Sequence, residues 1–234
     1  MNKKLKLLLL IPILVIGIVV GYSNGMGIPL RTAEPDLVFP IPESDKITRL
    51  SAYHTPDWGE PGVFHNGIDL VISENVTIIS PDFGTIVSYS ENVNPYAGNI
   101  LFVIAIAINL AWEVHLVLEP GFQDTTNNSL QSSLIDVTVG QQVVPGDELG
   151  TLLFSEHYPH LHYMLLHFGV DVCAYNYSSP LAQMTFNDIA TDSNSTILFP
   201  YSAPNPILSP VSLVIIGGSV IYLLIVLGVF RSRK

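Results

Sequence analysis

The sequence predicts an all-β domain, an antiparallel β-sheet forming a groove, flanked by an N-terminal signal or anchor helix and a C-terminal transmembrane helix. Three observations lead there. The 234 residues are 48% hydrophobic but only 12% charged, about half the charge of an ordinary soluble domain. The longest apolar runs stand at the two ends of the chain. Between them lie short runs rich in β-branched and aromatic residues, punctuated by Gly, Pro and Asn, the pattern of strands joined by turns.

At the N-terminus, Lys3, Lys4 and Lys6 precede the uncharged stretch Leu7 to Tyr22. Residues 1–30 therefore read as a secretory signal or an uncleaved anchor. At the C-terminus, Ile207 to Phe230 is 24 residues without a charge, which at 1.5 Å per residue spans a ~30 Å hydrocarbon core as a helix. The basic tail at 231–234 is expected to stay in the cytoplasm, which puts the middle of the chain outside, at the cell membrane. Residues 37–183 are expected to form the folded domain, and the Ser, Asn and Pro-rich stretch 184–206 a stalk.

The charge is segregated in the same way. All twenty acids lie between Glu34 and Asp192, and from Thr32 to Asn205 the only basic residues are Lys46 and Arg49, a formal −18 against −11 for the whole chain. So acidic an exterior domain has no basic stripe for phosphates, which excludes a nucleic-acid partner, and it is expected to disfavour polyanionic substrates and tolerate neutral or cationic peptides. The single Cys173 excludes an intrachain disulfide framework and a Cys-rich metal site, and it reads as a small buried side chain. Four N-x-[ST] sequons at Asn75, Asn127, Asn176 and Asn194 are candidate glycosylation acceptors in the exterior segment.

Along the middle, Val76 to Ile79 reads as a strand, followed by a turn through Ser80-Pro81-Asp82-Phe83-Gly84 and a second strand over Thr85 to Tyr89. The uncharged run Asn99 to Ala111 is too short to cross a membrane and reads as a buried strand. Trp112 to Glu119 alternates, with Trp112, Val114, Leu116 and Leu118 on one face and Glu113, His115, Val117 and Glu119 on the other. His160 to Phe168 places His160 and His162 together on one strand face. Gly121 to Ser133 has no periodicity and reads as an exposed loop.

All seven histidines fall in the exterior segment, at positions 54, 65, 115, 157, 160, 162 and 167. Imidazole and carboxylate are zinc ligands, and a catalytic zinc takes three protein ligands and keeps one position open. Two candidate ligand pairs stand out, His65 with Asp69 in HNGID and His160 with His162 in HLH. In a straight strand His65 and Asp69 would lie ~13 Å apart, so a bend at Asn66-Gly67 with φ > 0 at the glycine is expected to bring them to one point.

The succession H-N-G-I-D-L, D-F-G-T-I-V, E-V-H-L, V-G-Q-Q-V-V-P-G-D-E-L-G and P-H-L-H-Y resembles the peptidase M23 family, the lysostaphin and LytM-type zinc metallopeptidases, over roughly residues 39–183. Ile47 to Trp58 is similar to the family's lead-in, and Ser179-Pro180-Leu181 to its close. The resemblance implies an antiparallel sheet with one Zn2+ on the groove floor, held by His65, Asp69 and His162. It makes His115 and His160 the catalytic histidines. Glu113, on the same strand face as His115, is expected to orient it. Zinc lowers the pKa of bound water and polarises a carbonyl, and an imidazole moves the proton. No H-E-x-x-H is present, so the glutamate-base design is excluded.

The implied function is a membrane-anchored zinc metalloendopeptidase acting on peptide or peptidoglycan-like substrates of the cell wall or surface. The chain departs from the family in the surroundings of His115, in the approach to HLH and in its C-terminal hydrophobic run, so the substrate stays open. The rival reading is a catalytically inactive M23-like binding or regulatory module at the cell surface.

Overall fold

Strict alternation of apolar and polar residues lets one broad sheet bury one face and offer the other to water. In the computed structural model, which describes residues 3–30 and 32–197, ten strands form: β1 Ile47–Ser51, β2 Ile68–Ile72, β3 Val76–Ile79, β4 Gly84–Val93, β5 Ile100–Ala107, β6 Trp112–Glu119, β7 Gln142–Val143, β8 Glu148–Leu152, β9 His160–His167 and β10 Val170–Val172. The main sheet runs β1-β2-β9-β6-β5-β4-β7, with β10 also paired to β9, and every named strand pairing is antiparallel. β3 and β8 make a separate two-stranded sheet.

The apolar face packs Leu70, Leu161, Tyr163, Leu165, Leu116, Leu118, Phe102 and Ile104 into one core. That core is closed by Leu37 and Ile41 from the lead-in, Val76 and Ile78 from β3, Leu149 and Leu152 from β8, and Phe186 and Ile189. Trp112 and Tyr163 are fully buried, as their strand parity implies. Burial pushes the Cys173 thiol up to about 11, which suits an inert core residue.

Among the described residues three α-helices accompany the sheet: α1 Lys3–Met26, α2 Asn128–Ser133 and α3 Pro180–Asp192, so the fold is mostly rather than wholly β. The expected loop over Gly121 to Ser133 ends in α2, whose Gln131 is buried and bonds both the Thr151 carbonyl and the Leu153 amide. The expected stalk boundary is also corrected. Ser179 caps α3 by accepting from the Ala182 amide, Pro180 opens it, and Ala182, Phe186 and Ile189 bury one stripe. Residues 184–192 therefore belong to the fold, because that stripe completes the core.

The N-terminal apolar run is helical as α1, with Ile11, Leu14, Val15, Ile16, Ile18 and Val19 exposed; side chains are described over only part of this helix. Among the described residues no helix is long and apolar enough to cross a membrane. The expected transmembrane segment 207–230 and the tail 231–234 lie outside the described residues.

Candidate metal centre

The polar face of the sheet is ordered in rows, because antiparallel register sets partners directly opposite one another on the same side. One row reads Ser51, Asp69, His162 and Val117 across β1, β2, β9 and β6. The next reads Arg49, Val71, His160 and Glu119. On the other side of the first, His115 stands opposite Met164 and Ala105. His160 and His115 thus flank the Asp69–His162 row from its two sides.

His65 enters from the loop before β2. Its amide donates to the Thr55 carbonyl at 2.9 Å and its carbonyl accepts from the His54 amide at 2.8 Å. The Nδ1–H donates to the Ala52 carbonyl at 2.8 Å, which turns Nε2 to the site, and Trp58 stacks on the ring at 4.2 Å between centroids. The glycine of HNGID has a different purpose from the one expected. Gly67 is not among the residues with positive φ; instead, a Cβ there would lie 2.7 Å from the His162 ring and 2.9 Å from the Tyr163 carbonyl. Glycine is required for that close approach.

Three atoms converge. His65 Nε2 is 3.0 Å from Asp69 Oδ1, His162 Nδ1 is 2.7 Å from the same oxygen, and the two ring nitrogens are 3.1 Å apart. These are the only three or more His, Cys, Asp or Glu side chains among the described residues that gather their ligand atoms so closely. His65 and Asp69 are each 1% exposed. Burial would push the Asp69 carboxyl up, but hydrogen bonds from His162 and His65 and the charges of His160 and His162 outweigh it and hold the group well below the usual carboxylate range. Asp69 Oδ2 is buried and has no hydrogen-bond partner.

That donor set fits zinc. A tetrahedral site with bonds near ~2.1 Å has edges of ~3.4 Å between ligand atoms, against 2.7–3.1 Å in the observed triangle. A buried carboxylate oxygen without a partner is costly unless a cation meets it.

His160 Nδ1 donates to the Tyr158 carbonyl at 2.9 Å, and its Nε2 lies 3.5 Å from Glu119 Oε1 and 3.7 Å from Asp69 Oδ1. Burial opposes the charged ring, but the carboxylates of Glu119 and Asp69 raise its pKa to about 9. Glu119 was not singled out by its sequence context, although it shares a strand face with His115. It is fixed from behind by Asn94, whose Nδ2 donates to Oε2 at 3.2 Å. The expected pairing of Glu113 with His115 is present, through His115 Nε2 and Glu113 Oε1, and it turns that nitrogen along β6 away from the Asp69–His162 row. His157 is exposed, His54 stacks on Tyr53 and His167 stacks on Trp112, so none of these three joins the cluster. The four sequon asparagines are all exposed.

No family model matches the chain, and no curated protein matches it. Solved structures do. A zinc-containing peptidase from Vibrio cholerae is 19% identical, with a TM-score of 0.42 over 59% of this chain and 39% of that one. A peptidase M23 from Pseudomonas aeruginosa is 17% identical, with a TM-score of 0.41 over 66% of this chain and 57% of that one. The catalytic domain of lysostaphin from Staphylococcus simulans is 20% identical, with a TM-score of 0.36 over 53% of this chain and 83% of that one. This chain resembles M23-type peptidases. It spans well under two thirds of the length of the first two, and at these scores the likeness assigns no role to any residue. The reading of the M23-like site rests on its own atoms.

Proposed function

We propose that the protein is a membrane-anchored, extracytoplasmic zinc metalloendopeptidase that hydrolyses peptide bonds of cell-wall or surface peptides. The observation that carries this reading is the convergence of His65 Nε2, Asp69 Oδ1 and His162 Nδ1, which leaves the buried Asp69 Oδ2 without a partner. Bound there, Zn2+ would supply a Lewis acid for the scissile carbonyl and for water.

The chain's own residues do the rest. Ala52 holds the His65 tautomer, as outer partners of metal-ligating histidines do. His160, anchored by Tyr158 and faced by Glu119, presents Nε2 beside the ligand row and there holds or moves a proton. His115 stands on the opposite side of that row, with Nε2 held by Glu113, so Nδ1 is the nitrogen that would hold or move a proton there. Trp58, stacked on His65, shields the ligands from water. The exposed apolar side chains of α1 support a membrane anchor at the N-terminal end, and the uncharged run 207–230 a second one.

The purified full-length chain should hold about one zinc by elemental analysis. His65→Ala and His162→Ala should lose it, while His115→Ala should keep zinc and lose cleavage of peptidoglycan or Gly-rich peptides by at least ~100-fold. A chain purified without chelator that contains no metal would sink the reading. A chain that binds zinc yet cleaves neither substrate would favour the binding or regulatory module instead.

A further inference from the structure

A cavity of about 610 Å³ lies beside the candidate metal centre, lined by Arg49, Leu50, Ser51, Trp58, Tyr158 and the turn Ser193 to Ser195. It joins the centre through shared side chains. Trp58 stacks on His65, the Tyr158 ring lies 4.8 Å from that of His160, and Ser51 is the cross-strand neighbour of Asp69.

The cation in this cavity is unusual for the chain. Between residues 32 and 197 there are twenty acids and two basic side chains, Lys46 and Arg49. Lys46 pairs with Glu74 at 3.6 Å and with the Asn75 carbonyl at 3.1 Å. Arg49 has no acidic partner among the described residues. Its guanidinium lies instead over the Tyr158 ring, 4.7 Å from the centroid. That ring is itself held, since the Tyr158 hydroxyl and Ser51 Oγ are 2.7 Å apart. Tyr158 sits in the left-handed region at φ 58°, and strained backbone of this kind persists where the surroundings over-determine it. The one residue sends its carbonyl to His160 and its ring to Arg49. Held over the ring, the guanidinium keeps its fork of N–H donors for a carboxylate, which such a fork takes in bidentate fashion.

We propose that Arg49, laid on Tyr158 in this cavity, is a carboxylate-binding subsite, so that the peptide cut at the metal centre carries an acidic group close to the scissile bond. This deepens the peptidase reading and rests on it. Arg49 and His160 share a row and are two strands apart, ~10 Å at ~4.8 Å per strand. An extended peptide rises ~3.3 Å per residue, so the acidic group falls within about three residues of the bond cut. The acidic character of the domain as a whole sharpens the selection. A peptide with several carboxylates is repelled everywhere except at this point, and a peptide with one is admitted in one register.

The test uses the zinc-loaded full-length chain and a series of Gly-rich peptides, each carrying one Glu, or one Gln, at successive positions on either side of the centre. Binding is followed by calorimetry and cleavage by mass spectrometry. The expected result is a preference of about tenfold or more for Glu over Gln at one position. That preference should vanish in Arg49→Gln, survive in part in Arg49→Lys and invert in Arg49→Glu, with zinc content showing that each variant is folded. Cleavage with equal use of Glu and Gln peptides, or a preference that persists in Arg49→Gln, overturns the subsite and leaves the peptidase reading standing. Glu-selective binding that depends on Arg49 without cleavage upholds the subsite and overturns the peptidase reading. Failure of every peptide to bind overturns the subsite.

Discussion

His160 concentrates the electrostatics of this molecule in one imidazole. It sits 3.5 Å from Glu119 and 3.7 Å from Asp69, and the two carboxylates lift its pKa from the ordinary 6.5 to about 9 against the effect of burial. A group whose pKa is raised by folding stabilises the fold fully below its unfolded pKa, and that contribution is lost as pH rises through the folded one. In the metal-free protein, kept so with chelator, thermal melting should therefore fall as pH is raised from about 6.5 to about 9. His160→Gln should flatten that dependence, and a wild-type profile level across this window would contradict the ion pairing. Glu119 and Tyr158 escaped notice in the sequence for a simple reason. A carboxylate at the end of a polar strand face and a tyrosine before a proline are ordinary until register sets the one opposite His160 and a left-handed φ turns the carbonyl of the other toward it.

Elements were legible in proportion to how local their cause is. β3 and β6 fall where alternation and apolar runs place them, and β9 ends within one residue of expectation, because period-two patterning belongs to each strand alone. α3 was hidden because its apolar stripe is sparse, only Ala182, Phe186 and Ile189 being buried, and helices of this length draw most of their stability from what they pack against. Phe186 meets Phe39 edge-on at 4.8 Å and Tyr175 at 5.9 Å, which ties the helix to the lead-in strand region. Phe186→Ala should cost about 3–5 kcal/mol in chemical denaturation. A loss below about 1 kcal/mol would mean that α3 is an appendage and that the domain ends, as the sequence suggested, near residue 183. The pair His65 and Asp69 was legible as a pair, but the way they meet was not. Gly67 works through the space it leaves for His162, a contact between segments that no local rule contains.

For the whole molecule, fold and chemistry divide the sheet between them. One face packs its side chains into a continuous core, while the other carries Asp69, His162, His160, Glu119 and His115, with His65 brought to it by the loop before β2. The same separation holds along the chain, where two uncharged runs bracket an acidic domain. The intact protein should sediment with membranes, resist extraction by high salt and be released by detergent. Appearance in the soluble fraction after a salt wash would remove the membrane-anchored part of the proposal.

The two routes into and out of the domain attach at opposite margins of the sheet. After α1, the Gly27 carbonyl accepts from Thr85 at 3.3 Å, and Thr85 is bonded in turn by Gln142 of β7 at 2.8 Å. At the other margin the Ile197 carbonyl accepts from the Tyr53 amide at 3.1 Å and Ser195 Oγ from the Leu50 amide at 3.3 Å, beside β1. Six strand spacings of ~4.8 Å separate those margins, roughly 29 Å. A body moored at one point can tumble, whereas one moored at two distant points can only rock about the line between them. With both ends held in the bilayer, the cavity that opens next to β1 would sweep a narrow arc, and cutting either mooring would widen the range of surface peptides that the metal centre can meet.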